Sequence, residues 1–281
     1  MLKGKWVAVW GSAPSEPAAV PAVYAKDITL RFNFRSPLNG KAVRLHFNNL
    51  YGKEDAVLTR VFLLKKGVPA VPATFDKSES LSLKAGAQAV SDEIPFELKR
   101  RDEYSVTVYL GGMTPLQSGT KDTGPLSDFY FAEGDFASEE VLPSFHSMKI
   151  DNAYFLDTVD MFTEEARAAA VVCFGDSITA QSWPDYLGVR VLRDDNSRLA
   201  VIRRGKCRAE HSPRETVRRV RDHPGVAPVP FLHRFSLLPV GALPAVFPER
   251  KARRVLHGSS AVFSNDAAGR RIVLLAVRPA P

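Results

Sequence analysis

Strict alternation of apolar and polar residues marks the stretch Asp27-Ile-Thr-Leu-Arg-Phe-Asn-Phe34. A second stretch, Ala42-Val-Arg-Leu-His-Phe-Asn-Asn49, alternates in the same way, and Asn39-Gly40 between them is typical of a hairpin turn. Because successive side chains of a strand point to opposite faces, each stretch predicts a strand with one apolar face. Further strands are predicted at 6–10, 56–64, 81–83 and 104–110. Such strands must bury their apolar faces against a second sheet, which predicts a β-sandwich within residues 1–150.

The periodicity changes in the second half of the chain. Residues 111–162 contain turn-forming pairs such as Gly111-Gly112 and are predicted to connect two parts of the protein. Val171-Val-Cys-Phe174 is an uninterrupted apolar run of the kind found in buried parallel strands. A helix is predicted to begin at Ser182-Trp-Pro-Asp185, and Leu199–Ile202 predicts the next strand. This strand–helix–strand order is typical of the start of an α/β domain.

Composition excludes several classes of protein. The chain of 281 residues is 45% hydrophobic and 25% charged, which excludes collagen-like, disordered and coiled-coil proteins. No apolar run approaches the roughly 20 residues of a membrane helix, and the N-terminus lacks an apolar stretch of signal-peptide length. A cytoplasmic protein without membrane association is therefore predicted. The two cysteines are too few for a disulfide framework or a structural zinc site, and Cys173 is predicted to be a small core residue.

Basic charge is concentrated in the last quarter of the chain. The net charge is +7, but residues 206–281 alone hold 14 basic and 5 acidic residues, together with 9 of the 20 prolines. Clustered arginines can neutralise phosphates, yet no recognisable nucleic-acid module surrounds them, so no nucleic-acid partner is predicted. Two interpretations stay open for this Arg/Pro/Ala-rich tail: a solvated, disordered extension, or a frame-shifted reading of a GC-rich gene. By contrast, the short basic run Lys99-Arg-Arg101 is predicted to be a solvated turn.

The tripeptide Gly175-Asp176-Ser177 is the strongest candidate for chemistry. It follows the apolar run and therefore falls at the carboxyl end of a predicted buried strand, where open α/β sheets place their ligand sites. A serine there can present its hydroxyl to a substrate while nearby backbone N–H groups stabilise a developing oxyanion. The other interpretation is a plain turn that ends a strand. Ser177 is thus a candidate nucleophile.

The longer stretch Phe174-Gly-Asp-Ser-Ile-Thr179, followed by Trp183-Pro184 at a helix start, resembles the first motif block of the GDSL esterases (SGNH hydrolases). Four other stretches are similar to strands in the branch of this family that begins with a β-sandwich: Trp6–Pro14, Arg44–Gly52, Leu156–Asp160 and Ala200–Gly205. The resemblance covers about residues 5–205.

The resemblance implies a fold and an activity. The fold is of mixed class, an N-terminal all-β sandwich with a connecting segment over residues 1–150, then an α/β/α (flavodoxin-like) SGNH hydrolase domain. Residues 151–205 are implied to form the start of this hydrolase domain, which is incomplete. The activity is hydrolysis of carboxylic esters, as by a lipase or acylhydrolase, on a small-molecule or carbohydrate ester. No metal or organic cofactor is implied.

The resemblance also assigns roles near the motif. Ser177 is implied to be the nucleophile, with a histidine as general base, oriented by an aspartate three residues before it. The backbone N–H groups of Ser177 and Gly205 are implied to form the oxyanion hole together with an asparagine from a third block. Gly175 and Asp176 are implied to support the nucleophile turn.

The sequence departs from the family after Gly205. No aspartate or glutamate has a histidine three positions later, so the Asp-x-x-His block is missing. Asn265-Asp266 matches the third block poorly, because the glycine of that block is absent. The pattern stops where the composition changes, which favours the frame-shift interpretation of residues 206–281. An alternative function follows: a catalytically inactive or truncated family member that binds a glycan or a protein partner.

Overall fold

The computed structural model describes residues 4–16, 23–121 and 124–205, together with the backbone of two later strands. The described residues contain no helix long and apolar enough to cross a membrane. The elements are β1 (Lys5–Gly11), β2 (Tyr24–Ala25), β3 (Ile28–Arg35), β4 (Gly40–Asn48), β5 (Ala56–Leu58), β6 (Arg60–Lys65), β7 (Val68–Ala73), β8 (Leu81–Leu83), β9 (Gln88–Val90), β10 (Ile94–Leu98), β11 (Glu103–Leu110), β12 (Thr114–Pro115), β13 (Gly119–Lys121), β14 (Ser127–Glu133), β15 (Ser147–Ile150), β16 (Asn152–Tyr154), β17 (Leu156–Thr163), β18 (Ala169–Gly175), α1 (Trp183–Arg193), β19 (Leu199–Gly205), β20 (Ser259–Asn265) and β21 (Arg271–Val277).

Two antiparallel sheets pack face to face in the larger part of the molecule. The first has the strand order β1-β17-β4-β10, with β9 also paired to β4, and the second has the order β15-β14-β3-β11-β6-β7. Apolar side chains from both sheets form one continuous core. Rings meet across it: Trp10 of β1 lies edge-on to Phe129 of β14, with 6.2 Å between the ring centroids. The alternating residues of β3 and β4 supply the centre of this core, because their apolar faces point inward.

Residues 111–162 differ from the expected connecting segment, because they supply strands to both sheets. β14 pairs with β3 in the second sheet, and β17 lies between β1 and β4 in the first. β17 begins beyond residue 150, yet it belongs to the sandwich and is buried along nearly its whole length. Its sequence hides this position, because Asp157 and Asp160 are polar residues that are buried with partners.

A third sheet carries the Gly175-Asp176-Ser177 motif, in the strand order β19-β18-β21-β20. β18 is parallel to both β19 and β21, whereas β20 is antiparallel to β21. Helix α1 begins at Trp183, directly after Ser182, and packs on β19. Alternate residues of β18 therefore have different partners: Val171 and Cys173 cluster with α1, whereas Val172 joins the core of the sandwich.

The predicted α/β/α (flavodoxin-like) hydrolase domain is wrong. That fold requires helices on both faces of the sheet. In the described residues one face of the third sheet is covered by α1 and the other by β1 of the sandwich. Because both faces are buried, the run Val171–Phe174 is apolar throughout, and such a run cannot reveal which layer covers each face. Residues 206–258, the larger part of the Arg/Pro/Ala-rich tail, lie outside the described residues.

Candidate active site around Ser177

Ser177 lies in the turn between β18 and α1, at the carboxyl end of a parallel strand. Two backbone hydrogen bonds close this turn: the Ala180 N–H donates to the Asp176 carbonyl at 3.0 Å, and the Gln181 N–H to the Ile178 carbonyl at 3.2 Å. The Asp176 carboxylate accepts a third bond, from the Ile178 N–H at 2.9 Å. Asp176 is therefore engaged in stabilising the turn from within.

Two glycines allow the turn to fold back onto the sheet. Gly175 and Gly205 lie side by side in the register of β18 and β19. A Cβ on Gly175 would collide with the Thr179 hydroxyl, and a Cβ on Gly205 would collide with the backbone of Thr179 and Ala180. The second collision is with main chain, so any side chain at Gly205 would displace the turn. The structure thus brings Gly205 against the turn that carries Ser177.

The Ser177 side chain is open to solvent. Asp176, Ser177 and Ile178 are all exposed, whereas Thr179 beneath them is fully buried. Within the described residues the Ser177 hydroxyl has no hydrogen-bond partner. A substrate can therefore reach the hydroxyl, but the described part of the chain supplies no group that would take its proton.

Neither histidine of the described residues is bonded to Ser177. His46 of β4 is buried in the sandwich, where its Nε2 lies 3.0 Å from Asp160 Oδ2 of β17. His146 is largely exposed, with its Nδ1 3.7 Å from Glu133 Oε2. The remaining histidines lie outside the described residues: His211, His223, His233 and His257.

Arg203 of β19 connects the Ser177 turn to the sandwich. Its side chain is buried, and its Nη1 lies 3.5 Å from the Ala180 carbonyl oxygen and 3.4 Å from Asp185 Oδ2 in the first turn of α1. On the other side its Nε and Nη2 donate to the Ser12 hydroxyl at 3.1 and 2.8 Å. One guanidinium therefore contacts the turn, the start of α1 and the segment that follows β1.

Arg204, the next residue, makes a second connection. Its Nη1 donates to the carbonyl oxygens of Ser12 and Asp157, and its Nη2 donates to the Thr158 hydroxyl. Burial lowers the pKa of this guanidinium, whose side chain is 11% exposed, and the carboxylates of Asp157 and Asp160 oppose that effect. Because the Arg204 charge is largely removed from water, these partners are needed to offset the cost of its burial.

Sequence reasoning missed this network, although its members lie in the four stretches that resemble strands of the GDSL family. Ser12, Asp157, Arg203 and Arg204 lie in three of those stretches, and Asn48 of the fourth donates to Asp157 Oδ2 at 3.1 Å. One signal was available. Charged residues inside otherwise apolar strands can be buried only with partners of opposite charge or with hydrogen bonds.

The far end of α1 is held by a second pair of arginines. Arg100 Nη2 donates to the carbonyl oxygens of Val191 and Leu192 at 3.0 and 2.9 Å, and Arg101 Nε donates to Leu192 at 3.1 Å. Cations there satisfy the unpaired carbonyls of the last turn and favour the helix dipole. The run Lys99-Arg-Arg101 is therefore not the simple solvated turn that was expected, since the Arg100 side chain is only 12% exposed.

A small cavity of about 30 Å³ between the sandwich and α1 does not coincide with the Ser177 turn. It is lined by residues that pack α1 against the sandwich, among them Trp10, Leu126, Pro184, Gly188 and Val201. We interpret it as a gap in this interface rather than as a substrate pocket.

Among the described residues, the other reactive groups near the motif are not arranged for catalysis. Burial, together with the charge of Asp185, raises the pKa of the Cys173 thiol to about 12, so the thiol stays protonated at neutral pH. Among the described residues, no group of three or more His, Cys, Asp or Glu side chains is placed to hold a metal ion.

Comparison with known proteins assigns no family: no family model matches the chain, and no curated protein matches it. Function therefore has to be inferred from the residues of the site.

Proposed function

We propose that this chain is a serine hydrolase of carboxylic esters, related to the GDSL (SGNH) esterases, with Ser177 as its nucleophile. One observation carries the proposal: Ser177 is exposed in a tight turn at the carboxyl end of a parallel strand, and Gly205 lies against the same turn. Such a position leaves the hydroxyl accessible while main-chain N–H groups are close by. The proposed substrate is an acyl ester of a small molecule or a carbohydrate.

The reaction would proceed through an acyl-enzyme. Ser177 Oγ attacks the ester carbonyl carbon, its proton passes to a general base, and the base returns the proton to the leaving alcohol. Water then hydrolyses the acyl-Ser177 ester by the reverse sequence of proton transfers. The N–H groups of Ser177 and Gly205 would hold the oxyanion, while Asp176, engaged with the Ile178 N–H, would keep the turn in shape.

The general base has to come from outside the described residues. Within them neither a histidine nor a carboxylate is bonded to the Ser177 hydroxyl. The proposal therefore requires that one of the four later histidines reaches Ser177, although none of the four follows an aspartate at the spacing of the family.

The absence of a general base at Ser177 within the described residues favours a second candidate function. Without a base, a serine hydroxyl is an ordinary alcohol, because removal of one triad member abolishes most of the catalysis. The chain would then be an inactive relative whose sandwich binds a glycan or a protein partner.

Turnover of p-nitrophenyl acetate by the full chain separates the two candidates. If Ser177 is the nucleophile, Ser177→Ala lowers kcat by about 10³-fold or more. Ser182→Ala is the matched control, because the Ser182 side chain makes no capping hydrogen bond to α1, and its kcat should stay close to that of the unmodified chain. Equal, background-level rates in the unmodified chain and Ser177→Ala would overturn the esterase proposal and support the inactive relative.

A further inference from the structure

We propose that Arg203 is a positioning residue, which holds the Ser177 turn in place by anchoring it to Ser12 of the sandwich. The structural part of this inference stands on contacts alone. Its consequence for catalysis rests on the proposed function of Ser177.

Ala180 closes the turn around Ser177, because its N–H donates to the Asp176 carbonyl. The carbonyl of the same residue lies 3.5 Å from Arg203 Nη1, which is also 3.4 Å from Asp185 at the start of α1. A single nitrogen of Arg203 therefore contacts both the residue that closes the turn and the helix into which the turn leads.

Ser12 is the residue of the sandwich to which Arg203 is bonded. The main chain of Ser12 is held at both of its polar groups. Its N–H donates to the Asp157 carbonyl at 3.0 Å, and its carbonyl accepts from the Arg204 side chain. Its hydroxyl accepts hydrogen bonds from both Nε and Nη2 of Arg203. The planar guanidinium is suited to such a bridge, because it directs several N–H groups at fixed angles, whereas a lysine carries its charge at one point.

Arg203 is also screened from water. Its side chain is 8% exposed and that of Asp185 is 18% exposed. Burial strengthens the hydrogen bonds of a charged group and makes the loss of one partner costly. The Ser177 turn is thus connected to the sandwich through groups that solvent cannot easily replace.

Arg100 provides the matched control. It joins the sandwich to the same helix, but at the carboxyl end, where it contacts the carbonyls of Val191 and Leu192. Replacement of Arg100 should loosen the docking of α1 without touching the Ser177 turn. A merely structural role of Arg203 would therefore be reproduced by Arg100→Gln.

Hydrogen exchange of the full chain, followed by mass spectrometry, tests the structural part. In Arg203→Gln we expect amide exchange in residues 176–182 to accelerate by about tenfold, because local opening of the turn becomes easier. Arg203→Lys should show a smaller change, and Arg100→Gln should accelerate residues 190–198 only. Unchanged exchange at 176–182 in Arg203→Gln, or equal acceleration there in Arg100→Gln, would overturn the proposal. If Arg203→Gln does not fold, Ser12→Ala, which removes only the acceptor, carries the same prediction.

Ester kinetics test the catalytic consequence. Displacement of a nucleophile by about 1 Å costs up to about 100-fold in rate, so Arg203→Gln should lower kcat by about 10- to 100-fold with little change in KM. Arg203→Lys should recover part of kcat, and Arg100→Gln should retain it. Equal losses of kcat in Arg203→Gln and Arg100→Gln would contradict positioning. If the unmodified chain turns over no faster than Ser177→Ala, the esterase proposal fails, while the exchange experiment still decides the role of Arg203.

Discussion

The sandwich and the Ser177 unit (residues 169–205) are stabilised in different ways. The sandwich has a continuous apolar core drawn from two sheets. Among the described residues, the Ser177 unit has a cluster of its own with five buried members: Ala169, Val171, Cys173, Val191 and Leu199. Its other face shares the core of the sandwich, and arginines contact α1 at both of its ends. The difference indicates that the candidate nucleophile depends on the sandwich for its position, whereas most members of the sandwich core come from outside the Ser177 unit.

The largest effect is expected from breaking the buried charge network. Asp157→Ala removes a buried carboxylate 4.0 Å from Arg204 Nη2, and loss of one partner of a buried ion pair costs about 3–5 kcal/mol in the free energy of unfolding. Urea unfolding measures this loss. The control is Asp128→Ala. Asp128 pairs with Lys149 at the surface and its side chain is 39% exposed, so its loss should cost at most about 1 kcal/mol. A cost for Asp157→Ala as small as that of the control would show that the network does not stabilise the interface.

A matched pair of leucines compares the two cores directly. Leu30 lies between the two sheets and is fully buried, whereas Leu199 lies in the small cluster under α1 and is 8% exposed. We expect Leu30→Ala to cost about 4 kcal/mol and Leu199→Ala about 2 kcal/mol, since the cost rises with the cavity that remains. Unfolding free energies from urea titration check the order. The reverse order would contradict the view that the sandwich is the better packed part.

A smaller effect is expected at the far end of α1. Arg100→Gln weakens charge-assisted hydrogen bonds to the last carbonyls of the helix, which should lower the free energy of unfolding by about 1–2 kcal/mol. Thermal unfolding measures the change. Arg190→Gln, an exposed arginine of the same helix, should be close to neutral. Equal effects of the two variants would mean that Arg100 does not dock the helix.

The smallest effect is a dependence on alkaline pH. Burial raises the pKa of Cys173 from its ordinary value of 9.0 to about 12. The unfolded chain releases this proton near pH 9 and the folded chain retains it, so the associated stability is present below pH 9 and is lost between pH 9 and pH 12. The free-energy difference between the unmodified chain and Cys173→Ala should therefore shift against the unmodified chain by about 1 kcal/mol from pH 8 to pH 10. Urea titrations at the two pH values measure it, and a constant difference would show that the thiol is not buried in this way.

Local patterns in the sequence were sufficient for part of this structure. The alternation in β3 and β4, the apolar run of β18 and the helix start after Ser182 were predictable, because each depends on neighbouring residues only. β17 was not predictable in this way, since Asp157 is buried through contacts with Arg204, which is 47 residues later. The layer on the second face of β18 was equally hidden, because an apolar run records burial without recording what covers it.

The candidate site also has one part that local sequence predicts and another that depends on contacts between distant residues. The position of the Ser177 turn at the end of a strand follows from the motif and its flanking residues. The bridge from Arg203 to Ser12 joins residues that are 191 positions apart, and no local pattern encodes such a contact. The general base stays a prediction of the esterase proposal.

Covalent labelling tests the central claim, that Ser177 is an activated nucleophile, most directly. The full chain would be treated with a fluorophosphonate probe, which reacts with activated serines, and its peptides mapped by mass spectrometry. We predict one adduct per chain on the peptide that contains Ser177, absent from Ser177→Ala and retained in Ser182→Ala. An unlabelled Ser177 peptide, or labelling that persists in Ser177→Ala, would contradict the account.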